Sequence, residues 1–264
     1  MNSKLKKVAR TGYAAKAVVY GLIGILTLMA AFNMGGQTAG QMQVIDFLEK
    51  QAFGNVLLVL IALGLLCYSG WRFYQAIKDP ENIGQDKKGK AKRFGFFISA
   101  LIYLSIAGYA VMKLLNTGTS SQSGSGQKGM LSSFLTGDAG VYVFAAIGIG
   151  LVATSFFQFK KAVNKDFLEK FDYKSISEEK RRRTIKNTGY LGLIARGIIF
   201  AILAYFFIRA AIAHNTSDIK STTDAFAFLH ESPMGSWLMG IVAAGMICYS
   251  IYIFMMVKYR KFRT

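Results

Sequence analysis

Residues 64–73 read Gly64-Leu65-Leu66-Cys67-Tyr68-Ser69-Gly70-Trp71-Arg72-Phe73. The same frame returns twice. Its second copy is Gly150-Leu151-Val152-Ala153-Thr154-Ser155-Phe156-Phe157-Gln158-Phe159, and its third is Gly245-Met246-Ile247-Cys248-Tyr249-Ser250-Ile251-Tyr252-Ile253-Phe254. A further glycine precedes each by ten residues, at Gly54, Gly140 and Gly235. Chance is a poor explanation for glycines, serine, aromatic and phenylalanine recurring at fixed offsets. The chain is read first as an array of repeated units.

A second piece recurs upstream of each copy. Gly12-Tyr13-Ala14-Ala15-Lys16-Ala17-Val18-Val19-Tyr20 aligns without gaps to Gly95-Phe96-Phe97-Ile98-Ser99-Ala100-Leu101-Ile102-Tyr103. Both align to Gly192-Leu193-Ile194-Ala195-Arg196-Gly197-Ile198-Ile199-Phe200. Three two-element units follow, bounded at 1–78, 79–163 and 164–264, together forming one membrane domain.

The recurring pieces lie in six apolar blocks: Thr11–Phe32, Gly54–Ile77, Gly95–Leu115, Gly140–Lys160, Gly189–Ala211 and Gly235–Val257. A helix of about 20 apolar residues spans a bilayer's hydrocarbon core. No block contains Asp or Glu, and Pro80 and Pro233 fall outside them. Apolar residues run around every face, without the polar stripe of a soluble amphipathic helix. Lipid offers backbone groups no water, so each block must satisfy its own hydrogen bonds as a helix. The expected fold class is an all-α membrane protein with six transmembrane helices. Each unit crosses twice, so the units share one orientation, and a pseudo-threefold axis along the membrane normal is their natural arrangement, with linear packing as the alternative. Lys4, Lys6, Lys7 and Arg10 give the first block the look of a signal peptide, but two later equivalents favour a retained helix.

The 264 residues carry 32 Lys+Arg against 14 Asp+Glu, a formal net charge of +18, yet 53% are hydrophobic. So apolar a chain is neither a disordered polycation nor an ordinary nucleic-acid binder. Charge position resolves the conflict. One side of the six blocks receives 27 of the 32 basic residues, leaving Lys50, Lys113, Lys128, Arg209 and Lys220 for the other. The positive-inside rule then predicts both termini in the cytoplasm.

Shortly before the second helix of each unit stands an apolar set at i, i+3, i+4: Val44/Phe47/Leu48, Leu131/Phe134/Leu135 and Ala225/Phe228/Leu229. That spacing predicts a short helix on the outer membrane surface or dipping into it. Thr117–Gly129 reads as a Ser/Gly-rich outer loop. In the basic linker from Lys161 to Lys186, Phe167, Leu168 and Phe171 are expected on the membrane surface. Ser175 to Glu178 there forms a potential capping box.

These motifs resemble the bacterial membrane family called domain of unknown function 1206, with its Arg-x-Gly-Tyr-Ala-Ala-Arg-Gly-Val-Val-Tyr-like opening and Tyr-Gly-x-Trp-Arg-like close. Arg10 to Tyr20 and Tyr68 to Phe73 match best, and nearly the whole chain is covered. Ser99 departs where a basic residue is expected, Thr154 replaces a tyrosine, and Tyr252-Ile253 replaces Trp-Arg. The resemblance implies the six-helix architecture and a place in the bacterial cytoplasmic (inner) membrane. It implies no activity.

Lys16 and Arg196 share one repeat position, and Arg72 lies in the second helix of its unit. All three are candidate contacts for an anion or a phospholipid headgroup; the plainer reading is anchors that snorkel to the interface. Tyr20, Tyr103, Tyr68, Thr154, Tyr249, Ser69, Ser155 and Ser250 are candidates for interhelical hydrogen bonds or for lining a polar pathway. Gly64, Gly150 and Gly245 are expected to permit close helix packing. Trp71, Phe157 and Tyr252 read as an interfacial aromatic belt, and Cys67 and Cys248 as small packing residues. His214 and His230 follow no metal-ligand spacing.

No Ser/His/Asp set, phosphate-binding glycine loop or Cys/His cluster is present, so an enzyme is not expected, nor a cofactor or metal. The absence of carboxylates from the spans argues against a carboxylate-coupled cation transporter. Two readings follow. One is a non-enzymatic protein whose basic face engages anionic lipid or a protein partner. The other is a small anion-biased channel or carrier with its pathway between the hairpins. Nucleic acid is not an expected partner, and the sequence leaves oligomeric state open.

Overall fold

A computed structural model describes residues 3–115, 138–172, 176, 178–213 and 221–261. Six long apolar helices dominate: α1 (Ser3–Ala31), α3 (Gly54–Lys78), α4 (Lys87–Leu114), α5 (Asp138–Val163), α6 (Glu179–Ile212) and α8 (Gly235–Tyr259). Two short helices, α2 (Gln41–Glu49) and α7 (Thr222–His230), stand before α3 and α8. They are two of the three expected outer segments. The third, with Leu131, Phe134 and Leu135, lies outside the described residues, as do the Thr117–Gly129 loop and His214.

Each short helix turns into its long partner through the same corner. Phe53 and Met234 adopt left-handed backbone with φ of 64° and 58°, and a glycine follows each. A Cβ on Gly54 would lie 2.3 Å from the Glu49 carbonyl oxygen, and one on Gly235 1.8 Å from that of His230. Only glycine fits so close a backbone approach. On the same end of the molecule, Asp46 accepts from Tyr109 at 2.7 Å, while Lys113 pairs with Asp46 at 3.3 Å and Glu49 at 3.0 Å, tying α2 to α4.

The long helices pack in the order α4, α3, α1, α8, α6, α5, each on the next. The three interfaces between units carry one recurring bond. Ser69 Oγ donates to the Ala100 carbonyl at 2.8 Å, Ser155 Oγ to Gly197 at 2.8 Å and Ser250 Oγ to Ala17 at 2.6 Å. Donors and acceptors are all repeat equivalents, so one hydroxyl per unit fastens each second helix to the next unit's first.

Within units the symmetry breaks. In the first, a Cβ on Gly12 would lie 2.5 Å from the Tyr68 Cα, and one on Gly64 2.3 Å from the Ala15 Cβ. The third unit repeats this, with Gly192 against Tyr249 at 2.5 Å and Gly245 against Ala195 at 2.4 Å. In the middle unit, Gly95 and Gly150 would meet nothing within 4 Å, and α4 makes no comparable contact with α5. The close packing expected at Gly150 is therefore not present. Ile98 stands where the other units have an alanine, and Thr154 lacks the ring of Tyr68 and Tyr249, so the middle pair has neither the small contact nor the aromatic plug.

The basic end departs from expectation twice. The linker turns into a 3-10 helix (Asp166–Lys170) that buries Phe167, Phe171 and Ile176 instead of laying its apolar residues on a surface. The rings of Phe167 and Phe171 each pack 5.6 Å from Tyr252. α6 begins at Glu179 behind a Glu178 N-cap that makes no side-chain cap bond; Ser175 and Ser177 lie outside the described residues. The aromatic belt also dissolves. Trp71 is 1% exposed and Tyr252 4%, both inside the core, while Phe157 is 55% exposed. The cause is the same asymmetry, because only the first and third units close over this position.

Substituting Gly12→Ala should lower stability by about 1–3 kcal/mol, because backbone blocks the new methyl. Gly95→Ala should be neutral or stabilising by up to ~1 kcal/mol through helix propensity. Thermal unfolding of the two detergent-purified variants checks this; equal losses would mean that the middle pair is closed.

Candidate functional site

The interior of the bundle holds a group of tyrosines around one lysine. Lys16 points inward from α1 and is 3% exposed, so it does not snorkel. Its ammonium donates to the Tyr68 hydroxyl at 2.9 Å. It also lies 4.7 Å from the Tyr68 ring centre, 5.0 Å from Tyr103, 5.6 Å from Tyr20 and 5.8 Å from Tyr249. A desolvated cation gains roughly 2 kcal/mol from a good ring-face contact. The rings brace one another edge-on, Tyr68 against Tyr103 at 4.5 Å and Tyr20 against Tyr249 at 5.0 Å. Tyr103 also donates to the Tyr20 hydroxyl at 3.2 Å.

Arg72 and Arg196 flank this centre. Arg72 Nε donates to the Tyr68 hydroxyl at 2.8 Å and its Nη1 to Gln75 at 3.0 Å. Arg196 donates to Tyr249 at 2.5 Å and lies 4.9 Å from the Phe200 ring centre. Its Nε is buried with no hydrogen-bond partner among the described residues. No carboxylate among those residues pairs with Lys16, Arg72 or Arg196. The Tyr68 oxygen, with two lone pairs, faces N–H groups from two cations. Three formal charges are held by neutral acceptors and ring faces.

The adjacent carboxylate serves another cation. Glu81, in the linker after α3, accepts from Gln75 at 2.7 Å and forms an ion pair with Arg260. Arg260 also donates to Tyr13, whose ring lies edge-on to Tyr68 at 5.4 Å. Arg260 is fixed there by a short antiparallel bridge, with Asp172 N–H donating to the Tyr259 carbonyl at 2.9 Å and Lys261 N–H to that of Lys170 at 2.8 Å. Burial works against the charge on Glu81, yet Arg260, with Lys170 nearby, holds its carboxyl below the ordinary glutamate value. Burial, with Arg260 and Lys161 close by, pushes the Lys170 ammonium well below the ordinary lysine value.

Of the residues singled out from sequence, Lys16, Arg72, Arg196, Tyr20, Tyr68, Tyr103 and Tyr249 converge here. Ser69, Ser155 and Ser250 fasten unit to unit. Thr154 does neither: its hydroxyl donates to the Gly150 carbonyl of its own helix at 2.7 Å. Tyr13, Gln75, Glu81 and Arg260 went unread. Tyr13 follows the glycine that opens the repeat, which is its one sequence signal; Arg260 reaches the cluster only through the bridge to the linker, which no periodicity records.

The fold and this cluster define a polytopic membrane protein made of three two-helix units around a cation–tyrosine core. The family described as Domain of Unknown Function (DUF1206) matches three times, over residues 11–79, 94–165 and 191–260, and the chain belongs to it. An uncharacterized protein of Bacillus subtilis (strain 168), YxxB, is 32% identical over 253 residues, covering 95% of this chain and 90% of its own. No solved structure matches.

Tyr68→Phe should cost about 1–3 kcal/mol, because it strips an acceptor from two buried cations. Adding Lys16→Met should recover part of that loss, read as a non-additive cycle in thermal unfolding. Additive effects would mean that the two groups are uncoupled.

Glu81 carries its own pH dependence. A carboxyl held low in the fold stabilises above the ordinary glutamate value, and that contribution disappears as pH falls through the folded value. Glu81→Gln at neutral pH should mimic the acid state by freeing the C-terminal bridge. Hydrogen exchange at the Lys261 amide should then accelerate, with amides in mid-α1 unchanged.

Proposed function

We propose that this protein is a non-enzymatic component of the bacterial cytoplasmic membrane, with both termini in the cytoplasm, whose basic end binds the headgroup of an anionic phospholipid. The reading takes the six spans as a pseudo-threefold ring. The observation that carries it is a cluster of Lys16, Arg72 and Arg196 that, among the described residues, has no paired carboxylate and leaves the Arg196 Nε without an acceptor. A charge buried in low dielectric is strongly destabilising unless it is compensated, and a phosphate supplies the missing counter-charge with bidentate geometry suited to arginine. The surrounding linkers add Lys and Arg that an anionic leaflet attracts.

The channel or carrier reading gains less from the geometry. The rings that would line its pathway pack against one another and against Lys16, and Tyr20, Tyr68, Tyr103 and Tyr249 are all buried. They act as filling.

Native mass spectrometry of protein taken from mixed phosphatidylglycerol and phosphatidylcholine vesicles tests the proposal. Phosphatidylglycerol should be retained preferentially, and Arg196→Gln and Arg72→Gln should each reduce that preference about fivefold, the weight of roughly 1 kcal/mol per cation. Arg209→Gln, at the opposite end, should leave it unchanged. Anion flux into proteoliposomes without any lipid preference would instead support the channel.

A further inference from the structure

The middle unit leaves uncovered the positions at which its two neighbours close. Six positions form the contact inside the first and third units, and all twelve residues there are buried. In the middle unit the same positions are Gly95, Ile98 and Ile102 on α4, and Gly150, Thr154 and Phe157 on α5. Gly95 and Gly150 are exposed with open space above them, Ile98 is 40% exposed and Ile102 52%. α4 and α5 thus each carry an exposed apolar face that the other does not cover, and the gap between these faces is the slot.

Its chemistry is uneven along its length. The Thr154 hydroxyl is satisfied by Gly150 of its own helix, so the walls ask for no polar partner. At the basic end, Arg72 lies 5.0 Å from the ring centre of Phe96 on α4, and Arg196 stands on α6, the helix packed against α5. Lys161 is exposed in the last turn of α5, at the same basic end. An apolar slot ending at two arginines and a lysine, none of them paired with a carboxylate among the described residues, matches a long apolar chain with an anion at one end.

We infer that the slot between α4 and α5 seats an acyl chain of the anionic phospholipid whose phosphate is held by Arg72, Arg196 and Lys161; the inference rests on the headgroup reading above. Burying the chain drives nothing, since bulk lipid is equally apolar. Charge pairing holds the headgroup, and the slot sets where the chain lies. A helix from another protein would fill the walls but bring no phosphate to the cations.

A cysteine pair tests the slot first, in a Cys67→Ala, Cys248→Ala background. Ile98→Cys with Gly150→Cys should fail to cross-link in membranes, because α4 and α5 make no close contact at that position. Efficient cross-linking of that pair means a closed middle unit and overturns the inference.

Filling the slot tests the occupant. Gly150→Trp and Ile98→Trp place bulk where space is open, so folding should survive, as thermal unfolding will report. Native mass spectrometry should find phosphatidylglycerol retention reduced to the level of the Arg72→Gln variant in both. Unchanged retention in both tryptophan variants sinks the slot but leaves the headgroup reading intact. Equal retention of phosphatidylcholine and phosphatidylglycerol, lost on tryptophan filling, sinks the headgroup reading instead. If inorganic phosphate binds and displaces the lipid equally well with or without the tryptophans, the ligand is a free anion and the slot assignment fails.

Discussion

An ammonium group buried among apolar spans that carry no carboxylate is the constraint on which the centre of this molecule depends. Among the described residues no carboxylate pairs with Lys16, and it is held by one hydroxyl and the faces of four tyrosine rings. Those rings come from α1, α3, α4 and α8, and Arg196 brings in α6 through Tyr249. One charge thereby organises five of the six long helices. In low dielectric an unpaired polar group is costly, so the network resists loss of any one acceptor. It also leaves the core net positive, the property on which the lipid reading turns.

Around that core, assembly uses two kinds of contact with different symmetry. The serine-to-carbonyl bonds repeat at all three interfaces between units. The glycine contacts inside units occur twice of three times. The two classes are independent because they use different helix faces, so one unit can open without loosening its attachment to its neighbours. The basic end adds a separate clamp, in which Glu81, Arg260 and the 3-10 segment hold the chain's last helix against its linkers.

Much of this was legible in the sequence because it depends on local composition and period. Apolar length set the six helices, and repeat alignment paired Lys16 with Arg196, Tyr68 with Tyr249 and the three serines with one another. The linker was misread because Phe167 and Phe171 are equally apolar whether they face lipid or Tyr252. Trp71 was misread because an aromatic near a helix end suits a membrane interface as well as a packed core. Arg260 was unreadable because a two-residue bridge, remote in sequence, sets its position.

The sequence by itself determined the number of spans, their pairing into three like units and the segregation of charge to one end, since hydrophobic length and basic bias act on each segment independently of the rest. The tertiary structure alone decided that Lys16 faces inward to four tyrosines, and that the middle unit stands open at Gly95 and Gly150. Both depend on which surfaces meet. Identical glycines are buried against Tyr68 and Ala15 in one unit and left facing lipid in another, where Ile98 and Thr154 replace the small and aromatic partners that close the first.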